Sequence, residues 1–117
     1  MHKVINMGVV SASTLLFAFP ANAQVQKQVE QRLAQWNQQQ FPQGFVQIDG
    51  EEIPAHWKVY DIWLRENGII NINYGYDYLS SNGNGGGGRR YDTFLIEQET
   101  ARLMDSGEGI YRVSAHE

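Results

Sequence analysis

The segment "IININYGYDYL", residues 69–79, alternates between two kinds of side chain. Every second residue is a large apolar or aromatic one, and Asn, Gly or Asp fill most of the places between. The large residues are Ile70, Ile72, Tyr74, Tyr76 and Tyr78. A period of two predicts a β-strand with one face towards the protein core. The question it raises is whether this stripe fills the interior or forms the wall of a binding site.

The residues before this strand predict its partner in a hairpin. Apolar side chains between residues 53 and 64 also fit the spacing of a helix, but aromatic and β-branched residues dominate and favour a strand. Asn67-Gly68 is then expected to form a two-residue type I′ turn. In that register Asp61 lies opposite Tyr74 and Trp63 lies opposite Ile72, so both would share the face of the aromatic stripe.

An amphipathic helix is predicted from Val25 to about Gln40, because a narrow apolar stripe recurs there at helical spacing. Pro42 and Gly44 end the helix. Phe45 to Ile48 fits a short strand, followed by a turn at Asp49-Gly50.

The segment "SSNGNGGGG", residues 80–88, has no apolar side chain and is expected to be a flexible hairpin loop. Another strand is predicted from Arg89 to Gln98. A last strand is predicted from about Ile110 to His116, after a turn near Asp105–Gly107. Residues 99–104 receive no assignment. The predicted fold is α+β, with the N-terminal helix packed on a curved antiparallel sheet of about four to five strands.

Residues 1–23 have the three regions of a secretory signal peptide. Lys3 is the early cation, an apolar run follows from Val4 to Phe19, and Ala21-Asn22-Ala23 offers small residues for the peptidase. The apolar run is shorter than the ~20 residues that a membrane-spanning helix needs. We therefore expect cleavage after Ala23, export to the periplasm or beyond the cell, and a single domain over 24–117.

Composition excludes several classes of function. The chain has a formal charge of −4 and no basic cluster beyond Arg89-Arg90, which argues against nucleic-acid binding. It has no cysteine, so disulfides, thiolate metal sites and cysteine-linked lipid anchors are excluded. No residue spacing suggests a metal site, a nucleophile triad or a cofactor. After cleavage the protein is expected to have no membrane association.

Three segments resemble one known family. "HWKVYDIWLRENGIININYGYDY", then "RRYDTFLIEQE" and "GIYRVSAHE" are similar to the last four strands of the nuclear-transport-factor-2-like superfamily, in its SnoaL-like and ketosteroid-isomerase-like branches. The matching positions are Val59 to Ile62, Asn67-Gly68, Thr93, Tyr111 with Val113, and His116. The resemblance covers about the C-terminal two-thirds of the mature chain and implies a helix on the concave face of a sheet. A shorter cystatin-like arrangement fits the length equally well.

The aromatic concave face is the first candidate site. The leading hypothesis is a non-enzymatic module that binds a small molecule or a peptide there, although Asp61 accepting a bond from Tyr74 would make the same stripe purely structural. The candidate ligand-binding residues are Trp57, Asp61, Trp63, Tyr74, Tyr76 and Tyr78. In an isomerase- or cyclase-like enzyme Asp61 would act as the base and Tyr74 or Tyr76 as the oxyanion donor. In this register those groups lie side by side, so no catalytic residue is assigned.

A different class of function is an inhibitor or immunity-type protein that presents the glycine-rich loop to a partner. Its candidate residues are Asn82, Asn84, Arg89 and Arg90. A homodimer through the outer face of the sheet is also compatible with the sequence, because Tyr60, Ile62 and Leu64 reduce the polarity of that side.

Overall fold

The computed structural model describes residues 23–114. The predicted signal peptide, apart from Ala23, lies outside the described residues, and so does His116. Within the described part, one helix is followed by six strands: α1 (Ala23–Gln40), β1 (Phe45–Ile48), β2 (Glu51–Pro54), β3 (Lys58–Leu64), β4 (Ile69–Leu79), β5 (Gly85–Glu97) and β6 (Thr100–Val113). No helix within residues 23–114 has the length and apolarity needed to cross a membrane.

The strands form two antiparallel sheets. β1 and β2 make a separate two-stranded hairpin, and the other four form a sheet in the order β3-β4-β5-β6. Asp49 and Gly50 have φ values of 54° and 79°, as a type I′ turn requires, so the turn predicted there is confirmed. One helix on a four-stranded antiparallel sheet confirms the predicted α+β class.

Helix α1 packs its apolar stripe on one face of the large sheet, which we call the inner face. The predicted stripe of Val25, Val29, Leu33 and Trp36 is buried. It meets Ile70, Ile72 and Tyr74 of β4 and Phe94 of β5 in one core cluster. Asn37 fixes the end of the helix: its side chain accepts a hydrogen bond from the Trp57 backbone N–H at 2.7 Å and donates to the Trp57 carbonyl at 3.2 Å.

The β3–β4 hairpin exists, but its predicted register is wrong. The turn contains three residues, Glu66–Gly68, and the Arg65 N–H donates to the Ile69 carbonyl at 2.7 Å. One extra residue in the turn moves Trp63 from Ile72 to Asn71. Because side chains alternate along a strand, this slip of one residue moves the side chains at the end of β3 to the opposite face of the sheet. Trp63 is therefore 61% exposed on the outer face.

A β-bulge between Val59 and Asp61 inserts a second extra residue into β3. The two shifts of one residue cancel in their effect on which face a side chain occupies. Val59 and Trp57 therefore lie on the inner face, as the predicted register had placed them, and both are buried. Asp61 lies between the two irregularities and accepts a hydrogen bond from Asn73 at 3.3 Å, not from Tyr74.

The glycine run is also not the loop that the sequence predicted. The connection between β4 and β5 contains only residues 80–84, and Gly85–Gly88 are buried residues of β5 between β4 and β6. A Cβ on Gly88 would lie 2.7 Å from Cη2 of Trp57 and 2.6 Å from Cε1 of Tyr76. The glycines therefore leave room for aromatic rings that cover the strand.

The last strand is longer than predicted. The turn lies at residues 98–99, where Gln98 has a φ of 58°, and β6 runs without interruption from Thr100. The turn predicted near Asp105–Gly107 is wrong, because these residues pair with β5. A bulge in β6 opposite Thr93 and Phe94 absorbs the irregular spacing.

Candidate functional site

Cross-strand pairing arranges the inner face of the large sheet in rows, each made by one residue from β4, β5 and β6. In order along the sheet these rows are Ile72–Asp92–Ser106, Tyr74–Arg90–Glu108, Tyr76–Gly88–Ile110 and Tyr78–Gly86–Arg112. The first two rows contain the charged residues Asp92, Arg90 and Glu108. In the last two rows the β5 residue is a glycine, so the backbone there has no side chain of its own.

Asp92 is the most buried charged group of this face, with no exposed surface. Its carboxylate accepts hydrogen bonds from Arg32 Nε at 2.7 Å, from Arg32 Nη2 at 3.2 Å and from the Tyr74 hydroxyl at 2.8 Å. Burial and the neighbouring Asp92 carboxylate raise the pKa of Tyr74 far above its usual range. Both carboxylate oxygens thus have hydrogen-bond donors, which suits a structural anchor between α1 and the sheet.

Arg90 occupies the next row and is held between aromatic rings. Its guanidinium lies 4.3 Å from the ring centroid of Trp36 and 4.8 Å from that of Trp57. One terminal nitrogen forms an ion pair with Glu108 at 2.8 Å. Arg90 is thus fixed by stacking as well as by charge.

Tyr76 is bonded to the end of the helix. Gln40 Nε2 donates to its hydroxyl at 3.0 Å, and Trp57 Nε1 donates to the side-chain Oε1 of Gln40 at 3.3 Å. Burial raises the pKa of Tyr76. The large side chains of the stripe from Ile70 to Tyr76 therefore belong to the protein core.

Tyr78 belongs to a different environment, because α1 does not cover the last row. It is half-buried and lines an open cleft of about 480 Å³ between β1 and the ends of β4, β5 and β6. The polar and aromatic lining residues are Gln47, Asp49, Tyr78, Asn84, Arg112 and Ser114. This volume lies within the range of known small-molecule sites.

Gly86 determines how the ring of Tyr78 lies. A Cβ on Gly86 would come within 2.6 Å of the Tyr78 hydroxyl oxygen and 2.9 Å of Cζ, so the ring lies against the bare backbone of β5. The ring of Tyr76 lies nearly parallel beside it, with centroids 6.4 Å apart and planes 16° from parallel. Backbone and neighbour together hold the ring in one orientation.

The rim of the cleft is fixed by bonds between two turns. Asn84 Nδ2 donates to Asp49 at 2.8 Å, and the Ser81 hydroxyl donates to Glu51 at 2.9 Å. These bonds join the β4–β5 connection to the β1–β2 hairpin. The cleft therefore has a rigid side as well as a rigid floor.

A second cleft, of about 260 Å³, lies beside the helix and is lined by residues that include Arg32, Trp36, Arg90, Asp92 and Glu108. Its two arginines are both bonded to carboxylates of the same cleft. The smaller volume and the internal pairing make it the weaker candidate for a ligand.

The structure does not bring the six predicted ligand-binding residues together. Trp57, Tyr74 and Tyr76 lie in the core, and Tyr78 lines the cleft. Asp61 and Trp63 lie on the outer face, on the other side of the sheet. The suggested catalytic pairs of Asp61 with Tyr74 or Tyr76 are therefore separated by the sheet itself.

The four residues predicted for an interaction loop are also divided. Asn82 and Asn84 lie in the β4–β5 connection, and both amides donate to Asp49. Arg89 and Arg90 are in β5 and face opposite sides. On the outer face Arg89 pairs with Asp77 at 3.2 Å, and its guanidinium lies 5.1 Å and 5.4 Å from the rings of Tyr60 and Tyr111.

Sequence reasoning missed several residues of these sites. Asp92 alternates with Phe94 and Ile96 on a predicted apolar face, and a carboxylate there needs a buried partner. Arg32 lies three residues after Val29 and four before Trp36, on the same side of the helix. That combination was a usable signal. The sequence contains no such signal for Gln47, Asp49 and Arg112, because Arg112 is far from the other two in the chain and the tertiary fold brings them together.

Among residues 23–114, no group of three or more histidine or acidic side chains could hold a metal ion. No family model, curated protein or solved structure matches the chain. We therefore infer function from the geometry of the clefts.

Proposed function

We propose that the mature protein is an exported, non-enzymatic binding module that holds a small, neutral, polyhydroxylated molecule in the cleft around Tyr78. Export rests on the signal-peptide pattern of residues 1–23. The observation that carries the binding proposal is the open, half-buried ring of Tyr78 in a cleft of about 480 Å³.

The lining chemistry suits hydroxyl groups. A hydroxyl both donates and accepts hydrogen bonds, and the cleft offers an acceptor on Asp49 together with the amide donor and acceptor of Gln47. Arg112 adds further donors. The flat, apolar face of an aromatic ring matches the C–H face of a sugar ring, so Tyr78 would orient the ligand while the rim provides specificity.

The geometry of the acidic side chains does not favour an enzyme. The fully buried carboxylate of Asp92 has donors on both oxygens, among them the Tyr74 hydroxyl, and lies under the helix, away from the large cleft. The similarity to the nuclear-transport-factor-2-like superfamily stays a proposal as well, and one helix packed on a four-stranded antiparallel sheet is compatible with it.

Capture of a partner protein by the segment 80–90 is the less supported alternative. Its basis is narrower than the sequence suggested, since four of its glycines are within a strand and Ser81, Asn82 and Asn84 are bonded to the β1–β2 hairpin.

A titration with neutral sugars tests the proposal. Isotope-labelled protein is titrated with glucose, N-acetylglucosamine, maltose and cellobiose while the amide resonances are recorded. We expect at least one sugar to shift resonances of residues that line the cleft, and Tyr78→Ala to weaken that binding about tenfold or more, equivalent to about 1.4 kcal/mol. Tyr60→Ala is the matched control, because Tyr60 is a tyrosine exposed on the outer face. The proposal is wrong if none of the sugars shifts cleft resonances, or if binding is unchanged in Tyr78→Ala.

A further inference from the structure

The edge of the large sheet formed by β6 is long and uncovered over most of its length. β6 has 14 residues and, within residues 23–114, pairs only with β5. At its beginning, Gln28 of the helix donates to the Ala101 carbonyl at 3.0 Å. The opposite edge strand, β3, has seven residues and a bulge. Proteins commonly protect free edges by such irregularities, so the regular half of β6 is the edge most suited to pairing.

Three of the five exposed large apolar side chains of β6 lie in this half, and Leu103 and Met104 are the other two. Ile110 is 55% exposed, Tyr111 39% and Val113 56%. Charged side chains would be the usual protection for a free edge at these positions. Gly109 lies among them, and a Cβ added to it would meet nothing within 4 Å. Gly109 therefore adds no side chain to the face of the sheet beside this edge.

We propose that β6 pairs antiparallel with β6 of a second copy of this chain, with Ile110 on the two-fold axis. In this register Glu108 of each copy lies opposite Arg112 of the other. Two opposite-charge pairs form, and no like charges meet. Gly109, which has no side chain, lies opposite Tyr111 of the second copy, whose own ring reaches across Gly87 to Asp77.

Other registers with a two-fold axis are less complementary. An axis at Gly107 sets Arg102 against Arg112, and an axis at Glu108 sets that carboxylate against its own copy. An axis at Asp105 pairs Arg102 with Glu108 but places two aspartates face to face. Only the axis at Ile110 pairs opposite charges without a like-charge contact among the residues of β6.

The two charged residues are available for this contact. Arg112 takes part in none of the four ion pairs formed within residues 23–114, whereas Arg32, Arg89, Arg90 and Arg102 each have a carboxylate partner. Glu108 uses Oε1 to pair with Arg90, and its side chain is 48% exposed. Glu108 of the second copy would therefore lie beside Arg112 at the rim of the Tyr78 cleft, although the pairing itself does not require that a ligand binds.

Site-directed cross-linking tests the register, since the natural chain has no cysteine. Ile110→Cys should give a covalent dimer under mild oxidation or with a short bis-maleimide reagent. Val113→Cys is the matched control, because Val113 is equally exposed on the same strand. In the proposed register the two copies of position 113 are six residues apart along the paired strands, which is about 20 Å. Position 113 should therefore give no dimer with either treatment.

Light scattering on the eluting protein gives the second measurement. The natural protein should have twice the monomer mass, and Ile110→Lys should be monomeric with an unchanged circular dichroism spectrum. Leu64→Lys, which changes a 60% exposed residue of the other edge strand, should remain dimeric. A monomeric natural protein at every concentration overturns the proposal, as does equal cross-linking through positions 110 and 113. Loss of the dimer in Leu64→Lys but not in Ile110→Lys also overturns it.

Discussion

The Tyr74 hydroxyl donates a hydrogen bond to the Asp92 carboxylate across 2.8 Å, between neighbouring strands beneath helix α1. Arg32 approaches the same carboxylate from the helix at 2.7 Å. Helix and sheet are thus joined through one fully buried charge. Such a charge is costly unless its partners are complete, so each partner has a measurable effect on stability.

Removal of the Arg32 guanidinium should destabilise the fold strongly. Arg32→Met leaves the carboxylate of Asp92 buried with a single donor, and we expect a loss of about 3 kcal/mol in the free energy of unfolding by urea. Arg102→Met is the matched control. Arg102 and its partner Glu97 are more than half exposed, so the loss should stay within about 0.5 kcal/mol. Equal effects of the two substitutions would show that Asp92 is not a buried anchor.

Tyr74 should make stability decrease at alkaline pH. Its pKa is raised in the folded protein, so the folded state favours the protonated phenol. That contribution is complete below the unfolded pKa of about 10 and is lost as the pH rises above it. Tyr74→Phe should cost about 1–2 kcal/mol at neutral pH and reduce the slope of stability above pH ~10. The pKa values of Tyr76, Tyr91 and Tyr111 are also raised, so part of the slope should persist. An unchanged slope in the variant would contradict this account.

Substitution of glycine by alanine should affect stability differently at two positions in neighbouring strands. Gly88→Ala places a methyl group against the rings of Trp57 and Tyr76 and should cost about 1–3 kcal/mol. Gly109→Ala adds the methyl group in open space, so it should be neutral or slightly stabilising. Thermal unfolding of both variants checks the expectation. A tolerated Gly88→Ala would mean that the rings do not cover β5.

Trp57 and Trp63 test the corrected hairpin register. Trp57 is 1% exposed and Trp63 is 61% exposed. Trp57→Ala should cost about 3–5 kcal/mol, whereas Trp63→Ala should change stability by about 0.5 kcal/mol or less. The Trp63→Ala variant should also lose the red-shifted part of the tryptophan fluorescence. A loss of several kcal/mol in Trp63→Ala, close to that in Trp57→Ala, would restore the register predicted from a two-residue turn.

Elements with a strong local signal were predictable from the sequence. The stripe of α1, the Asp49-Gly50 turn and the inner residues of β4 from Ile70 to Tyr76 agree with their spacing. The position of the β3–β4 turn was predicted too. Its length was not, because Asn67 and Gly68 both take positive φ in a loop that includes Glu66. One residue of loop length was enough to misplace Asp61 and Trp63.

The glycine strand could not be predicted from local preference, since glycine weakens an isolated strand. What favours it is non-local: Trp57, Tyr76 and Tyr78 need flat backbone to lie on, and Gly86 and Gly88 provide it. The large cleft was missed for the same reason. Its wall at Asp49 and its side at Arg112 are more than sixty residues apart in the chain.

Amide hydrogen exchange at Gly85–Gly88 is the most direct test of the account, because this segment forms the floor beneath Tyr78 and separates β4 from β6. A strand paired on both sides should protect these amides, with exchange rates close to that of Ile72 in the centre of the sheet. The intrinsic exchange rate of an unstructured peptide with the same sequence provides the unprotected reference. Exchange of Gly85–Gly88 as fast as that reference would contradict the central strand and, with it, the cleft.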